Sequence, residues 1–209
     1  MNSTNKIFES VVSLFPTPVY FSKLQRQLSK KEKDLIIKCS KKIIKNESNV
    51  YSKNTYVLET ASFKKLKKEI LLRVQHYFDK VLCYKNVKPY ITQSWLNYNV
   101  KNTNHHKHNH PNSLVSGVFY VNADKKNDTI TFLNQNYSPI SPQIREFNTW
   151  NASNWDVSVE TGAIFLFPSS LMHRVKNKKE NGTRISLSFN VFIKGTFGSN
   201  HDLTELILD

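Results

Sequence analysis

Near residue 88 the chain changes its rhythm, and that change limits the fold more than any other feature. Upstream, apolar residues recur at helical spacing. Downstream they alternate with period two, and β-branched and aromatic side chains take over. Strands are expected at 91–99 (ITQSWLNYN), 114–121 (LVSGVFYV), 129–133 (TITFL), 157–160, 163–167 (AIFLF) and 184–193 (RISLSFNVFI). Before them, 29–46 opens with Ser29 and Glu32 in capping-box spacing, then places Leu35, Ile36, Cys39, Ile43 and Ile44 at helical intervals. A second helix is expected over 62–82, with Phe63, Leu66, Ile70, Val74, Tyr77 and Val81 on one stripe. A long all-β half preceded by helices reads as α+β, a sandwich or small barrel buttressed by helices on one face. At 209 residues the chain suits a single domain, with a helical part over 1–88 and a β core over 89–209.

Strand 184–193 allows a face-by-face reading. Arg184, Ser186, Ser188 and Asn190 fall on one side; Ile185, Leu187, Phe189, Val191 and Ile193 fall on the other. Plain in/out alternation accounts for this if the polar row faces water. In a barrel with an open pocket, the polar row lines the pocket instead.

Several classes of protein are disfavoured. No stretch approaches the roughly 20 apolar residues of a membrane span. The N-terminal apolar run is broken by Pro16 and Pro18 and lacks a small-residue cleavage site, which argues against a signal peptide and for the cytoplasm. Cys39 and Cys83 have no metal-type spacing and read as reduced thiols. The net charge of +14 invites a nucleic-acid partner, yet 25 of the 30 basic residues are lysine, and Asn is also abundant at 23. That skew fits A/T-rich coding, whereas phosphate-reading surfaces favour arginine.

The segment HHKHNHPNS (105–113) holds four of the seven histidines. On an extended strand, residues two apart share a face at about 6.5–7 Å. His106, His108 and His110 therefore form one set, with His108 common to both adjacent pairs and His105 on the opposite face. Two imidazoles hold a transition metal weakly, so a third ligand is needed. His173, just beyond an apolar strand and a Pro-Ser-Ser turn, stands where a barrel mouth is expected. Such a triad leaves about three coordination positions open. Arg184, eleven residues further on, opens the strand with the polar row, where it could clamp an acid group. The long segment 134–155 reads as a loop, with Trp150 and Trp155 as candidate substrate contacts.

The motifs SWLNYN (94–99), HNHPNSLVSGVFYV (108–121), GAIFLFPSSLMHRV (162–175) and TRISLSFNVFIKG (183–195), with the opening LFPTPVYF (14–21), resemble 2-oxoglutarate- and iron(II)-dependent oxygenases of phage and bacterial type. The resemblance implies a double-stranded β-helix, or jelly-roll, core. It implies Fe(II) on His108, His110 and His173, and 2-oxoglutarate with its distal carboxylate on Arg184, helped by Ser186. Asn97, Tyr98, Tyr120 and Asn190 are implied as further lining of the cosubstrate pocket. The implied reaction uses O2, converts 2-oxoglutarate to succinate and CO2, and hydroxylates a small molecule or protein side chain. A homodimer is compatible with this. One departure stands out: the wider superfamily carries His-x-Asp or His-x-Glu where this chain has His108-Asn109-His110. A carboxylate from Asp124, Asp128 or Asp156 is the formal alternative to a three-histidine site. The rival functions are a cupin-like three-histidine enzyme that does not use 2-oxoglutarate, and a non-catalytic metal-binding jelly-roll module.

Overall fold

The computed structural model describes residues 9–46, 49–135 and 140–209. In chain order its first elements are β1 (Tyr20–Lys23), α1 (Lys30–Ser40), β2 (Ile43–Asn46), β3 (Asn49–Ser52), α2 (Lys64–Tyr77) and β4 (Val87–Asn99). There follow β5 (His105–His108), β6 (Val115–Asn122), β7 (Thr129–Leu133) and β8 (Asn154–Ser158). The chain ends with β9 (Ala163–Pro168), β10 (His173–Val175), β11 (Arg184–Phe197) and β12 (Leu206–Leu208).

Among the described residues the strands make two sheets. The larger runs β1-β9-β6-β11-β4-β3-β2, with β12 added to β11; the smaller runs β5-β10-β7-β8. Every strand ladder is antiparallel. This is the expected jelly-roll with helices on one face.

Period-two alternation builds two cores from the same strands. Leu187, Phe189, Val191 and Ile193 of β11 join Ile164 and Leu166 of β9 against Ile36 and Cys39 of α1 and Leu66, Ile70, Val74 and Tyr77 of α2. The intervening residues Phe165 and Phe167 point the other way, meeting Val118, Tyr120, Ile130 and Phe132 between the sheets. The apolar row of β11 thus supports the helices, and its polar row is left facing the space between the sheets.

Helix α1 starts as the sequence predicts. The Glu32 N–H donates to the Ser29 hydroxyl at 3.3 Å, and the Ser29 N–H donates to the Glu32 carboxylate at 2.7 Å. It ends earlier than expected, at Ser40, and Ile43–Asn46 forms a hairpin strand with β3. Ile43 and Ile44 had fitted the helical stripe, but both are exposed, and as β-branched residues they suit the strand. The second helix stops its regular winding at Tyr77 and closes in a π-helical turn, Phe78–Leu82, ended by the left-handed Cys83. The Tyr77 hydroxyl donates to the Pro18 carbonyl at 3.1 Å, which ties the N-terminal segment to α2.

Gly117 in β6 marks the tightest packing beneath the site. A Cβ there would stand 2.1 Å from Cζ of Phe189, a fully buried ring. Gly117→Ala is expected to destabilise the fold by about 1–3 kcal/mol through overpacking. At this chain length that is about 2–4 °C of Tm per kcal/mol, readable by calorimetry.

Candidate metal and cosubstrate site

The smaller sheet gathers the histidines. His173 of β10 is the direct register partner of His108 on β5, so their side chains share a face, with ring centroids 4.3 Å apart. His110 lies just past β5, where its N–H donates to the Ser169 carbonyl at 3.0 Å. Ser169 in turn hydrogen-bonds Ser116 and Ser113 at 2.8 Å each, so the Pro-Ser-Ser turn holds the His110 loop beside His173. The His110 ring stacks on His173 at 5.2 Å. Ligand nitrogens of His108, His110 and His173 all lie within 4.8 Å of one another.

Two of these rings have a fixed tautomer. Nδ1 of His108 lies 2.8 Å from the His106 carbonyl, and Nδ1 of His173 lies 2.9 Å from the Leu171 carbonyl. A carbonyl only accepts, so both Nδ1 atoms carry the proton and both Nε2 atoms keep a lone pair. Burial reinforces neutrality. Desolvation, with neighbouring imidazoles adding to it, lowers His110 to about 4 and His173 to about 3. His108 is also lowered, chiefly by burial.

The pH dependence of the metal-free protein follows. As pH falls through the unfolded-chain value of 6.5, the unfolded state takes up protons that folded His110 and His173 refuse until about 4 and 3. Protonation therefore favours unfolding, and stability present above pH 6.5 is lost as the pH falls toward those values. Each histidine held neutral adds a slope of up to about 1.4 kcal/mol per pH unit. Urea midpoints of the metal-free protein at pH 7, 6 and 5 are expected to fall, and His173→Phe is expected to flatten the slope.

His105 is not where strand alternation put it. It stacks on His108 with centroids 4.1 Å apart and lines the same cavity. The cause is a bulge: β10 advances two residues, from His173 to Val175, while β5 retreats three, from His108 to His105. The extra residue carries His105 onto the His108 side. His106 is exposed.

Across the cavity from the smaller sheet lies the polar row of β11. Arg184, Ser186 and Ser188 line the cavity together with Asn97, Asn99, Trp95 and Tyr120. Asn97 donates to Ser186 and Ser188 at 3.4 and 3.0 Å and accepts from Asn49 at 3.2 Å, so its amide serves to order the wall. Burial raises the Tyr120 phenol, which stays a protonated donor. Tyr98, expected in the pocket, does not line it. Next to Asn97 on a strand it must face the other way, and its hydroxyl donates to the Ile36 carbonyl of α1 at 2.8 Å. Asn190 has a buried Oδ1 without a partner but lies outside the cavity lining. Trp150 and Trp155 are exposed, and Trp155 stacks on Phe147 at 5.7 Å, away from the cavity; residues 136–139 of that loop lie outside the described residues.

The carboxylate alternatives are engaged elsewhere. Asp124 bonds Lys126 and Asn127, and Asp156 bonds Thr131 and Lys176. Among the described residues, the groups able to hold a metal contain histidine alone. Asp128 has a different task. One of its oxygens accepts from Arg184 Nη1 at 3.1 Å and Lys178 Nζ at 3.4 Å, and the other accepts the Asp124 N–H at 2.9 Å. All three side chains are buried, so two cations share one anion and one positive charge is left over. Arg184 Nη2 is buried without a hydrogen-bond partner. A buried guanidinium nitrogen in a cavity wall, beside a surplus charge, fits a carboxylate ligand. Sequence reading missed Asp128 as an anchor and Lys178 altogether, because Lys178 sits in a lysine-rich run that looks solvated.

Residues 93–190 match the family model described as "Putative 2OG-Fe(II) oxygenase". The matched stretch carries His108, His110, His173 and Arg184, and over it the chain is similar to 2OG-Fe(II) oxygenases. Among curated proteins no sequence matches significantly. Solved structures of similar fold include an oxidoreductase of the 2OG-Fe(II) oxygenase family from Burkholderia pseudomallei, with TM-score 0.55, 12% identity and coverage of 82% of this chain and 83% of that one. HygX from Streptomyces hygroscopicus, crystallised with nickel, 2-oxoglutarate and hygromycin B, gives 0.57 and 13%, over 84% and 82%. A prolyl-4-hydroxylase from Pseudomonas putida gives 0.54 and 11%, over 83% and 92%. At these identities the likeness fixes the fold. Among the described residues, no helix is long and apolar enough to cross a membrane.

Proposed function

We propose that the chain is a 2-oxoglutarate-dependent oxygenase that holds Fe(II) on His108, His110 and His173 and 2-oxoglutarate against Arg184, and hydroxylates a substrate that enters beside the histidines. The observation that carries the assignment is one cavity walled on one side by three convergent neutral imidazoles and on the other by a buried arginine with a free Nη2. When bound, the iron and 2-oxoglutarate supply the oxidising power, with O2 consumed and succinate and CO2 released. The chain supplies what surrounds that chemistry. His108 and His173 present Nε2 because backbone carbonyls hold their Nδ1 protons. Three neutral ligands leave a divalent ion its full charge of two, and the Arg184–Lys178–Asp128 group adds one more. That field favours a dianionic cosubstrate.

Arg184 also separates this reading from a three-histidine enzyme without 2-oxoglutarate, which has no use for a buried guanidinium in its wall. A second cleft of about 230 Å3 opens beside His105, His108 and His110, lined by Asn46, Asn49, Tyr51, Thr55, Gln93 and Trp95. Its amides, hydroxyls and one indole suit a small polar molecule or a single protruding side chain. The free cysteines Cys39 and Cys83 accord with a reducing cytoplasm.

The test is turnover. Purified protein with Fe(II), ascorbate, 2-oxoglutarate and O2 is expected to release succinate even without added substrate, at a slow uncoupled rate, and anaerobic Mn(II) is expected to promote 2-oxoglutarate binding. Binding of 2-oxoglutarate that ignores the metal contradicts the assignment.

A further inference from the structure

The proposed iron site leaves two histidines of the cluster unused. His105, His106 and His108 form a second triad whose ligand nitrogens also lie within 4.8 Å of one another. The ring centroids are 5.2 Å apart for His105 and His106, 4.1 Å for His105 and His108, and 5.4 Å for His106 and His108. The β5 bulge creates this triad by bringing His105 back over His108. The two triads differ in access: His106 is exposed, whereas His173 is buried.

They also share a member. The His108 Nδ1 proton is committed to the His106 carbonyl, so His108 has one nitrogen, Nε2, to offer a metal. One lone pair cannot bond two ions, so full triads at both places exclude each other.

We propose that His105, His106 and His108 are a second metal site, open to solvent, which takes a late first-row divalent cation and competes with the inner site for His108. The ligand chemistry sets the class of ion. Three imidazoles without a carboxylate suit Zn2+, Ni2+ or Cu2+, and the general affinity order places all three above Fe2+. Occupation of the outer triad draws His108 away from the inner one, so such an ion acts as an inhibitor with its own site. The outer site stands on its own geometry, while the competition rests on the inner assignment.

The experiment uses the metal-stripped full chain and Zn2+ titrated against a chromogenic chelator. A His110→Ala/His173→Ala variant, which retains only the outer triad, is expected to bind one Zn2+. Adding His105→Ala and His106→Ala is expected to weaken that binding at least about tenfold. Equal Zn2+ affinity in the double and quadruple variants overturns the outer site. Should the double variant fail to fold, as judged by circular dichroism, His110→Ala alone carries the same comparison. Competition has a separate readout. Zn2+ displaces Mn2+ from the wild-type complex with 2-oxoglutarate, followed by the electron paramagnetic resonance of released Mn2+. With His105→Ala/His106→Ala the Zn2+ needed is expected to rise at least about tenfold, and an unchanged requirement overturns the competition. Retention of Mn2+ and 2-oxoglutarate by His110→Ala/His173→Ala would instead count against the inner assignment, leaving the outer-site comparison intact.

Discussion

His173→Ala is expected to abolish turnover and to weaken binding of Fe(II), or of Mn(II) as its surrogate, by at least about a hundredfold. Changes to groups that merely orient a metal ligand cost about 10–100-fold in affinity, and His173 is proposed as a ligand itself. It is also the ligand that holds the set together. It pairs in register with His108, stacks on His110, and is 5% exposed against the rings of Phe132 and Phe167. Its Nδ1 proton is fixed by Leu171, so no ring flip can substitute for it. The alanine variant leaves a cavity between those phenylalanines, so thermal unfolding must accompany the metal titration. His173→Gln, which fills more of the space and offers a poor metal ligand, separates lost packing from lost coordination. A folded glutamine variant with undiminished Mn(II) affinity would remove His173 from the metal centre.

The sequence shows this site unevenly, and the reasons are physical. The polar row of β11 is readable because a strand repeats every two residues, so Arg184, Ser186 and Ser188 share a face whatever the fold around them. The same rule separates Asn97 from Tyr98; the pair cannot line one pocket, and Asn97 with Asn99 is the combination that alternation supports. Alternation is silent for AIFLF, because both faces of β9 are buried and both carry large apolar residues. It fails at His105 because a bulge adds a residue to β5, and nothing in HHKH marks where. Ile43 and Ile44 satisfy a helical and a strand pattern alike, and pairing with β3 decides between them. Asp128 is legible only in three dimensions. Its partners lie 50 and 56 residues away, and no local pattern joins an Asp after a lysine-rich turn to an Arg that opens a distant strand.

That long-range group frames the second large effect. Arg184→Met is expected to weaken 2-oxoglutarate binding by about 2–5 kcal/mol, the usual cost of truncating one partner of a buried charged hydrogen bond. In affinity this is roughly 30-fold to several thousandfold. Metal binding is expected to persist, because no histidine of the triad bonds Arg184. The split between the two nitrogens of the guanidinium is what the variants resolve. Nη1 is tied to Asp128, and Nη2 is the buried atom left over. A lysine has one nitrogen and must choose, so Arg184→Lys is expected to fall between wild type and methionine. Asp128→Asn would leave Arg184 and Lys178 as two buried cations without an anion, so its first effect is a loss of stability of about 3–5 kcal/mol. Pyruvate sharpens the test, since it keeps the keto acid of 2-oxoglutarate and lacks the distal carboxylate. The wild type is expected to prefer 2-oxoglutarate strongly, and Arg184→Met to bind the two almost equally. Preference maintained in a folded methionine variant would mean that the far carboxylate is held by another group, and Lys178, the other cation on Asp128, would be the one to replace next.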